Sequence, residues 1–187
     1  MSTPGRIEVI CGPMFAGKTE ELRRRVRRAL IAGRHVVVVN HAFDTRHGRD
    51  RLASHVGIGH PSVAATTIDD IERAVQDGTE IVAIDEAQFF GPDLIGAASR
   101  LAAQGMTVIV AGLDVTFDGR PFEPLPSLTA LAERVDKLTA ICAVCGDEAV
   151  FHVRVEATTV RAAELVTEHV GGTELYHARC RRHVTPV

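Results

Sequence analysis

The chain has 187 residues, 45% of them hydrophobic, and 21 basic against 24 acidic side chains give a formal charge of −3. That length suits one domain of ordinary size plus a small appendage, and the slightly acidic balance gives no global pull toward nucleic acid. No apolar run reaches the roughly 18 residues of a membrane-spanning helix, and Met1 to Gly5 leads into an apolar strand with no secretory h-region, so the chain reads as cytoplasmic, with no membrane partner.

Residues 6–11 read as a short apolar strand. They run into Gly12-Pro13-Met14-Phe15-Ala16-Gly17-Lys18-Thr19, which fits the phosphate-binding pattern G-x-x-x-x-G-K-[ST]. Residues 20–30 then read as a helix with Leu22, Val26, Ala29 and Leu30 on one face. This strand–loop–helix frame surrounds a phosphate with backbone N–H groups and a helix N-terminus. Lys18 brings a point charge to the β- and γ-phosphates, and the Thr19 hydroxyl can hold Mg²⁺. Arg23, Arg24, Arg25, Arg27 and Arg28 fall opposite the apolar stripe and read as a solvated face.

Val36 to Val39 is a β-branched run and reads as a buried strand. Residues 44–61 are polar, rich in His, Arg and Gly, and predict a mobile loop. Residues 67–76 read as a helix with Thr67 or Asp69 at the N-cap, and residues 81–84 as a second buried strand. Pro92 sits at the opening of a helix that reaches about Gln104, and residues 106–113 form a further strand. Strands alternating with helices predict an α/β fold with a parallel sheet and helices on both faces. Residues 118–121 are a turn, and Pro124 and Pro126 break any long element. Short strands replace the alternation after Leu138, which divides the chain into domains 1–137 and 138–187.

Asp85-Glu86 follows the strand at 81–84. In phosphate-loop proteins a carboxylate in this place holds the Mg²⁺ shell, which makes Asp85 the candidate. Glu86 is then positioned as a general base. Its proton donor is water in an ATPase and a substrate hydroxyl in a kinase, and these motifs do not choose between them.

The chain has four cysteines. Cys11, on the first strand, reads as a small core residue. Cys142-Ala143-Val144-Cys145 is a C-x-x-C knuckle and Cys180-Arg181-Arg182-His183 a C-x-x-H pair. Together they suit a four-coordinate, structural zinc with Cys142, Cys145, Cys180 and His183 as ligands. His177 is an alternative fourth ligand. A redox dithiol at Cys142 and Cys145 is the rival reading, but it leaves the second pair unexplained. With all four positions filled by protein, the metal is expected far from the chemistry.

With these pieces assembled, the chain strongly resembles the thymidine kinase family of bacteria, animals and poxviruses, from Gly5 to His183. The phosphate loop has the family's Pro-Met-Phe insert. Asp44-Thr45-Arg46 is similar to a segment that contacts the phosphate donor. Asp85-Glu86-Ala87-Gln88-Phe89-Phe90 is similar to the acidic signature, with Glu86 in the general-base position. Residues 112–117 and Pro121-Phe122 are similar to the lining of the nucleoside pocket, and Val170-Gly171-Gly172 and Tyr176 to a lasso loop that closes over the base. Ala16 stands where many members have Ser, and His152 where many have a Thr near the base.

The resemblance implies a phosphate-loop NTPase fold with a RecA-like parallel sheet, flanking helices and a small zinc-binding lasso domain. It implies transfer of the γ-phosphoryl of ATP to the 5′-hydroxyl of thymidine in nucleoside salvage. ATP and Mg²⁺ would meet residues 12–19, Asp44, Thr45, Arg46, Asp85, Glu86, Ala87 and Gln88. Thymidine would meet Met14, Phe89, Leu113, Phe117, Phe122, His152, Tyr176 and the lasso residues Thr167, Glu168, His169, Val170 and Gly171. It further implies a structural zinc, a homotetramer and feedback inhibition by thymidine triphosphate. The runner-up is a RecA-like ATPase module whose zinc ribbon holds nucleic acid or a partner, and a non-enzymatic nucleotide sensor is a third reading.

Overall fold

A computed structural model describes residues 4–42, 62–154 and 176–184. The first strand, β1 (Arg6–Gly12), leads through the phosphate loop into α1 (Lys18–Ile31). Next come β2 (Val36–His41), β3 (Ser62–Ala65), α2 (Ile68–Ala74) and β4 (Ile81–Asp85). A 3-10 turn (Ala87–Phe90) precedes α3 (Asp93–Ala103), β5 (Thr107–Leu113), α4 (Leu125–Leu131) and β6 (Arg134–Lys137).

These six strands make one sheet in the order β3-β2-β4-β5-β1-β6, and every pairing in it is parallel. β5 thus lies between the strand that carries the phosphate loop and the strand that carries Asp85. Side chains alternate across the sheet with the period of two that a strand imposes. On one face Val9, Val82, Ile84, Val108 and Val110 pack with Ile71 of α2, Leu94, Ala98 and Leu101 of α3, and Leu125 and Leu128 of α4. On the other face Ile10, Val36, Val38, Ala83, Ile109 and Ala111 pack against Leu22 and Val26 of α1. The expected α/β architecture, with helices on both faces, is the one observed.

Helix α2 starts at Thr67, which accepts from the Asp70 N–H at 3.2 Å while the Asp70 carboxylate accepts from the Thr67 N–H at 3.0 Å. This reciprocal capping box favours Thr67 over Asp69 as the cap. The loop predicted at 44–61 lies outside the described residues.

Three features depart from the sequence reading. Arg25 belongs to no solvated face: it is buried, and its guanidinium bonds Glu8 at 2.8 Å, Glu21 at 2.9 Å and Asp136 at 2.5 Å. Glu8 alternates onto the α1 side of β1, where Arg25 and Arg6, the latter at 2.6 Å, together neutralise its buried carboxylate. Second, a short helix of 7 residues that the sequence reading does not name follows Pro124, and no long element forms there. Pro126 falls in the first turn of α4, where a missing N–H costs nothing. Third, the polar segment Arg134–Lys137 is a sheet strand that pairs with β1 from Glu8 to Cys11.

Beyond β6 the chain forms two small antiparallel ribbons, β7 (Ala140–Ile141) with β8 (Glu148–Ala149), and β9 (Phe151–Arg154) with β10 (Tyr176–Arg179). Their shared core is small: Ala140, Cys142, Ala149, Ala178 and Cys180.

Candidate active site and metal centre

The carboxyl ends of the parallel strands meet at one edge of the sheet, where Gly12 of β1 aligns with Leu113 of β5 and Asp85 of β4 with Asn40 of β2. The phosphate loop leaves β1 here. Gly12 has φ 147° and Gly17 φ 81°, and Phe15 also takes a positive φ, 66°. Only glycine adopts such conformations without cost. Gly17 sits at the N-cap of α1 and has no side chain to occupy the first-turn N–H groups. Those donors and the helix dipole face the loop, the arrangement that binds an anion. The Lys18 ammonium donates to the Pro13 carbonyl at 2.7 Å, which folds it back across the loop. Met14, Ala16, Lys18 and Thr19 are half-buried, while Phe15 is exposed.

The acidic pair stands at the end of β4. Asp85 and Glu86 are both buried, and the Asp85 carboxylate accepts from the Glu86 N–H at 2.9 Å. Glu86 takes the left-handed conformation, φ 51° and ψ 42°, and bends the chain sharply out of the strand. Gln88 donates from Nε2 to Glu86 Oε2 at 2.6 Å and accepts at Oε1 from the Leu113 N–H at 3.0 Å. The amide of Gln88 is therefore committed to Glu86 and to β5, and Ala87 lies in the core. This positioning link was absent from the sequence reading. The signal for it was Gly112: a Cβ there would lie 2.7 Å from Gln88 Oε1, 2.9 Å from Leu125 Cδ2 and 3.2 Å from the Ala87 nitrogen.

The segment after β5 doubles back. Thr116 and Arg120 bond through their backbones at 2.8 Å, and the Phe122 N–H donates to Asp114 O at 3.0 Å. Phe117 and Phe122, both half-buried, ride on this hairpin. Phe89 sits beside His41 with ring centroids 5.4 Å apart. His152 of β9 is 3% exposed and meets Tyr176 of β10 edge-on at 5.8 Å. Burial above all, then the positive charge of Lys18, pushes the His152 imidazole down to about 4, so it is neutral near pH 7. Its Nδ1 is buried with no hydrogen-bond partner among the described residues. Asp44, Thr45, Arg46, Thr167, Glu168, His169, Val170 and Gly171 lie outside the described residues.

Cys142, Cys145, Cys180 and His183 converge, with ligand atoms all within 4.8 Å of one another. Cys145 Sγ lies 3.7 Å from Cys180 Sγ, and His183 Nδ1 lies 3.7 Å from Cys142 Sγ and 3.2 Å from Cys180 Sγ. A tetrahedral zinc with bonds of about 2.3 Å has ligand–ligand edges of about 3.8 Å, so the cluster fits a four-coordinate metal. The cysteines occupy tight turns: Gly146 N–H donates to Cys142 O at 2.9 Å and His183 N–H to Cys180 O at 2.9 Å. Burial opposes ionisation of Cys142, but N–H groups of Cys180, Val144 and Cys145 outweigh it and bring the thiol down to about 5. A thiol that ionises readily is a ready metal ligand. His177 points instead to Arg179, at 3.3 Å from Nδ1 to the guanidinium.

Ala16 of the phosphate loop packs against the Ala140, Cys142, Ala149, Ala178 and Cys180 core, so the metal-binding module touches the loop itself. Helices too short and polar to span a bilayer are the only ones among the described residues.

A glycine-rich loop between strand and helix, and an acidic corner one strand removed on the same sheet edge, define an α/β protein of the RecA-like phosphate-loop class. A sequence model described as thymidine kinase matches residues 5–184. Two relatives named thymidine kinase, from two strains of Halobacterium salinarum (ATCC 29341 / DSM 671 / R1 and ATCC 700922 / JCM 11081 / NRC-1), are each 45% identical to this chain, across 97% of it and 94% of the relative. The chain belongs to the thymidine kinase family, whose members are ATP-dependent phosphotransferases.

Proposed function

We propose that this chain transfers the γ-phosphoryl group of ATP to the 5′-hydroxyl of thymidine, giving ADP and thymidine monophosphate. One observation carries the reading: in a chain of this family, the phosphate loop and the Asp85-Glu86 corner share the carboxyl edge of one sheet. Backbone N–H groups of residues 12–19 cradle the donor phosphates, and Lys18 steadies the charge that spreads over the moving phosphoryl group. Thr19 and Asp85 would hold the Mg²⁺ that accompanies ATP and neutralises phosphate charge. Glu86 takes the proton of the attacking hydroxyl, and Asp44, Thr45 and Arg46 assist on the donor side. Met14, Phe89, Leu113, Phe117, Phe122, His152 and Tyr176 enclose the nucleobase, with residues 167–171 closing over it. Cys142, Cys145, Cys180 and His183 hold a structural zinc. The same reading includes a homotetramer in the cytoplasm, with no need for nucleic acid.

ADP release measured with and without thymidine tests this directly. Release should depend on thymidine, whereas thymidine-independent turnover would assign Glu86 to water and the chain to ATP hydrolysis. Discrimination by one methyl group in a pocket is worth about 10- to 200-fold, so thymidine should surpass deoxyuridine by that factor in kcat/KM. Efficient phosphorylation of deoxyguanosine would overturn the pocket.

A further inference from the structure

The module that carries the metal ligands leans on the phosphate loop at several points. Leu138, the first residue beyond β6, donates its N–H to Cys11 O at 2.8 Å. Its carbonyl closes over Gly12, where a Cβ would approach it to 2.4 Å. Ala16, four residues along the loop, packs into the module's core, two of whose five residues are the metal ligands Cys142 and Cys180. Below the loop, Lys137 at the end of β6 reaches Asp114 just past β5 at 2.6 Å. β5 and β6 flank β1, so this ion pair straps across the strand end from which the loop springs. His152 of the same module lies within electrostatic range of Lys18.

We propose that the metal-binding module is a positioning element of the donor phosphate site, so that metal occupancy and nucleotide binding at residues 12–19 are energetically coupled. This rests on the reading of that loop as the donor site. Among the described residues the module's core is three alanines and two cysteines; so small a core buries too little apolar surface to order itself, and metal ligation supplies the missing folding free energy. Phosphate recognition by backbone donors requires those donors to be held within about 0.5 Å of their productive places. Here one wall holding them is the module. Loss of the metal loosens that wall and weakens nucleotide binding. By linkage, bound nucleotide must tighten the metal site to the same extent.

The test uses the zinc-loaded wild-type chain and a chromogenic chelator, with ADP as the probe and ADP binding measured separately by calorimetry. Saturating ADP should tighten zinc binding, read from equilibrium competition with the chelator, by at least about 5-fold, the lower end of ordinary coupling between sites. The effect should vanish in Lys18→Met at the same ADP concentration. The metal-free chain, where circular dichroism shows the sheet intact, should bind ADP correspondingly less tightly. If the metal-free chain unfolds, the chelator competition decides alone. Bound ADP with an unchanged zinc affinity overturns the coupling and leaves the donor site standing. Failure of ADP to bind the zinc-loaded chain overturns both.

Discussion

Gln88 holds Glu86: its amide donates to the Glu86 carboxylate at 2.6 Å and is itself anchored by the Leu113 N–H at 3.0 Å. The acid proposed as general base is thus tied to the strand lying between it and the phosphate loop. A base must meet its proton within hydrogen-bond reach, and its position is as consequential as its basicity.

Glu86→Gln should lower kcat by roughly 10²- to 10⁴-fold, the range of general-base effects, while ATP still binds. Gln88→Leu should lower kcat by about 10-fold or more and change KM little, because it removes one hydrogen bond that positions the carboxylate and leaves the carboxylate itself in place. In the Glu86→Gln background the second substitution should add almost nothing, as expected of residues that act as a unit. Steady-state kinetics of the four proteins measure this. Independent, multiplying losses would separate Gln88 from Glu86.

Gly112 makes that link possible. Its Cα faces Gln88, Leu125 and the Ala87 backbone, with a Cβ position only 2.7 Å from Gln88 Oε1. Two of these neighbours are fixed by packing and by the turn. Gly112→Ala should therefore cost about 1–3 kcal/mol in overpacking and should lower kcat along with stability. Chemical denaturation with parallel kinetics checks both, and a variant as stable and active as wild type would mean that Gln88 yields easily.

Much of this was legible in the residues. The phosphate loop announces itself by spacing, and the alternation of β-branched runs with amphipathic stretches predicts the parallel sheet. Thr67 and its capping partner Asp70 are local, three residues apart, and local chemistry reads well. Pairings set by register read poorly. Arg25 looked like one more surface arginine because Glu8, its buried partner, lies 17 residues away on a strand whose facing side only the sheet determines. β6 has no mark in the sequence, because Arg134–Lys137 is short, polar and largely exposed, with no apolar period. The link from Gly112 through Gln88 to Glu86 joins two strands, and the contact of Ala16 with the metal module joins loop to ribbon. No spacing rule reaches across either. Both depend on how the pieces stack.

His152 gives a pH signature. Its imidazole is held down from 6.5 to about 4, by burial first and Lys18 second. An unfolded histidine binds its proton near 6.5, so below that pH the unfolded chain takes up a proton that the native chain refuses. Stability is therefore flat in this respect above pH 6.5 and falls as the pH drops toward 4, by a total on the order of 3 kcal/mol. His152→Gln should remove this part of the acid sensitivity. Urea unfolding of both proteins at pH 7 and pH 5 isolates it as a difference of differences. Equal losses on acidification in the two proteins would take His152 out of the account.

The metal centre supplies the last prediction. Cys142, Cys145, Cys180 and His183 lie at separations that suit one tetrahedral zinc, and among the described residues the core around them consists of five small residues. Elemental analysis should find one zinc per chain. Cys145→Ser removes a thiolate from the exposed side of the cluster and should abolish stoichiometric zinc. The module carries His152 and Tyr176 on β9 and β10, so the proposed acceptor pocket loses a wall with the metal, and the KM for thymidine should rise by at least about 10-fold. Because Ala16 shares the module's core, the KM for ATP should rise as well, by a smaller factor, since the loop keeps its own sheet and helix. A zinc-free Cys145→Ser protein with the wild-type KM for thymidine would show that the metal does not organise the acceptor side.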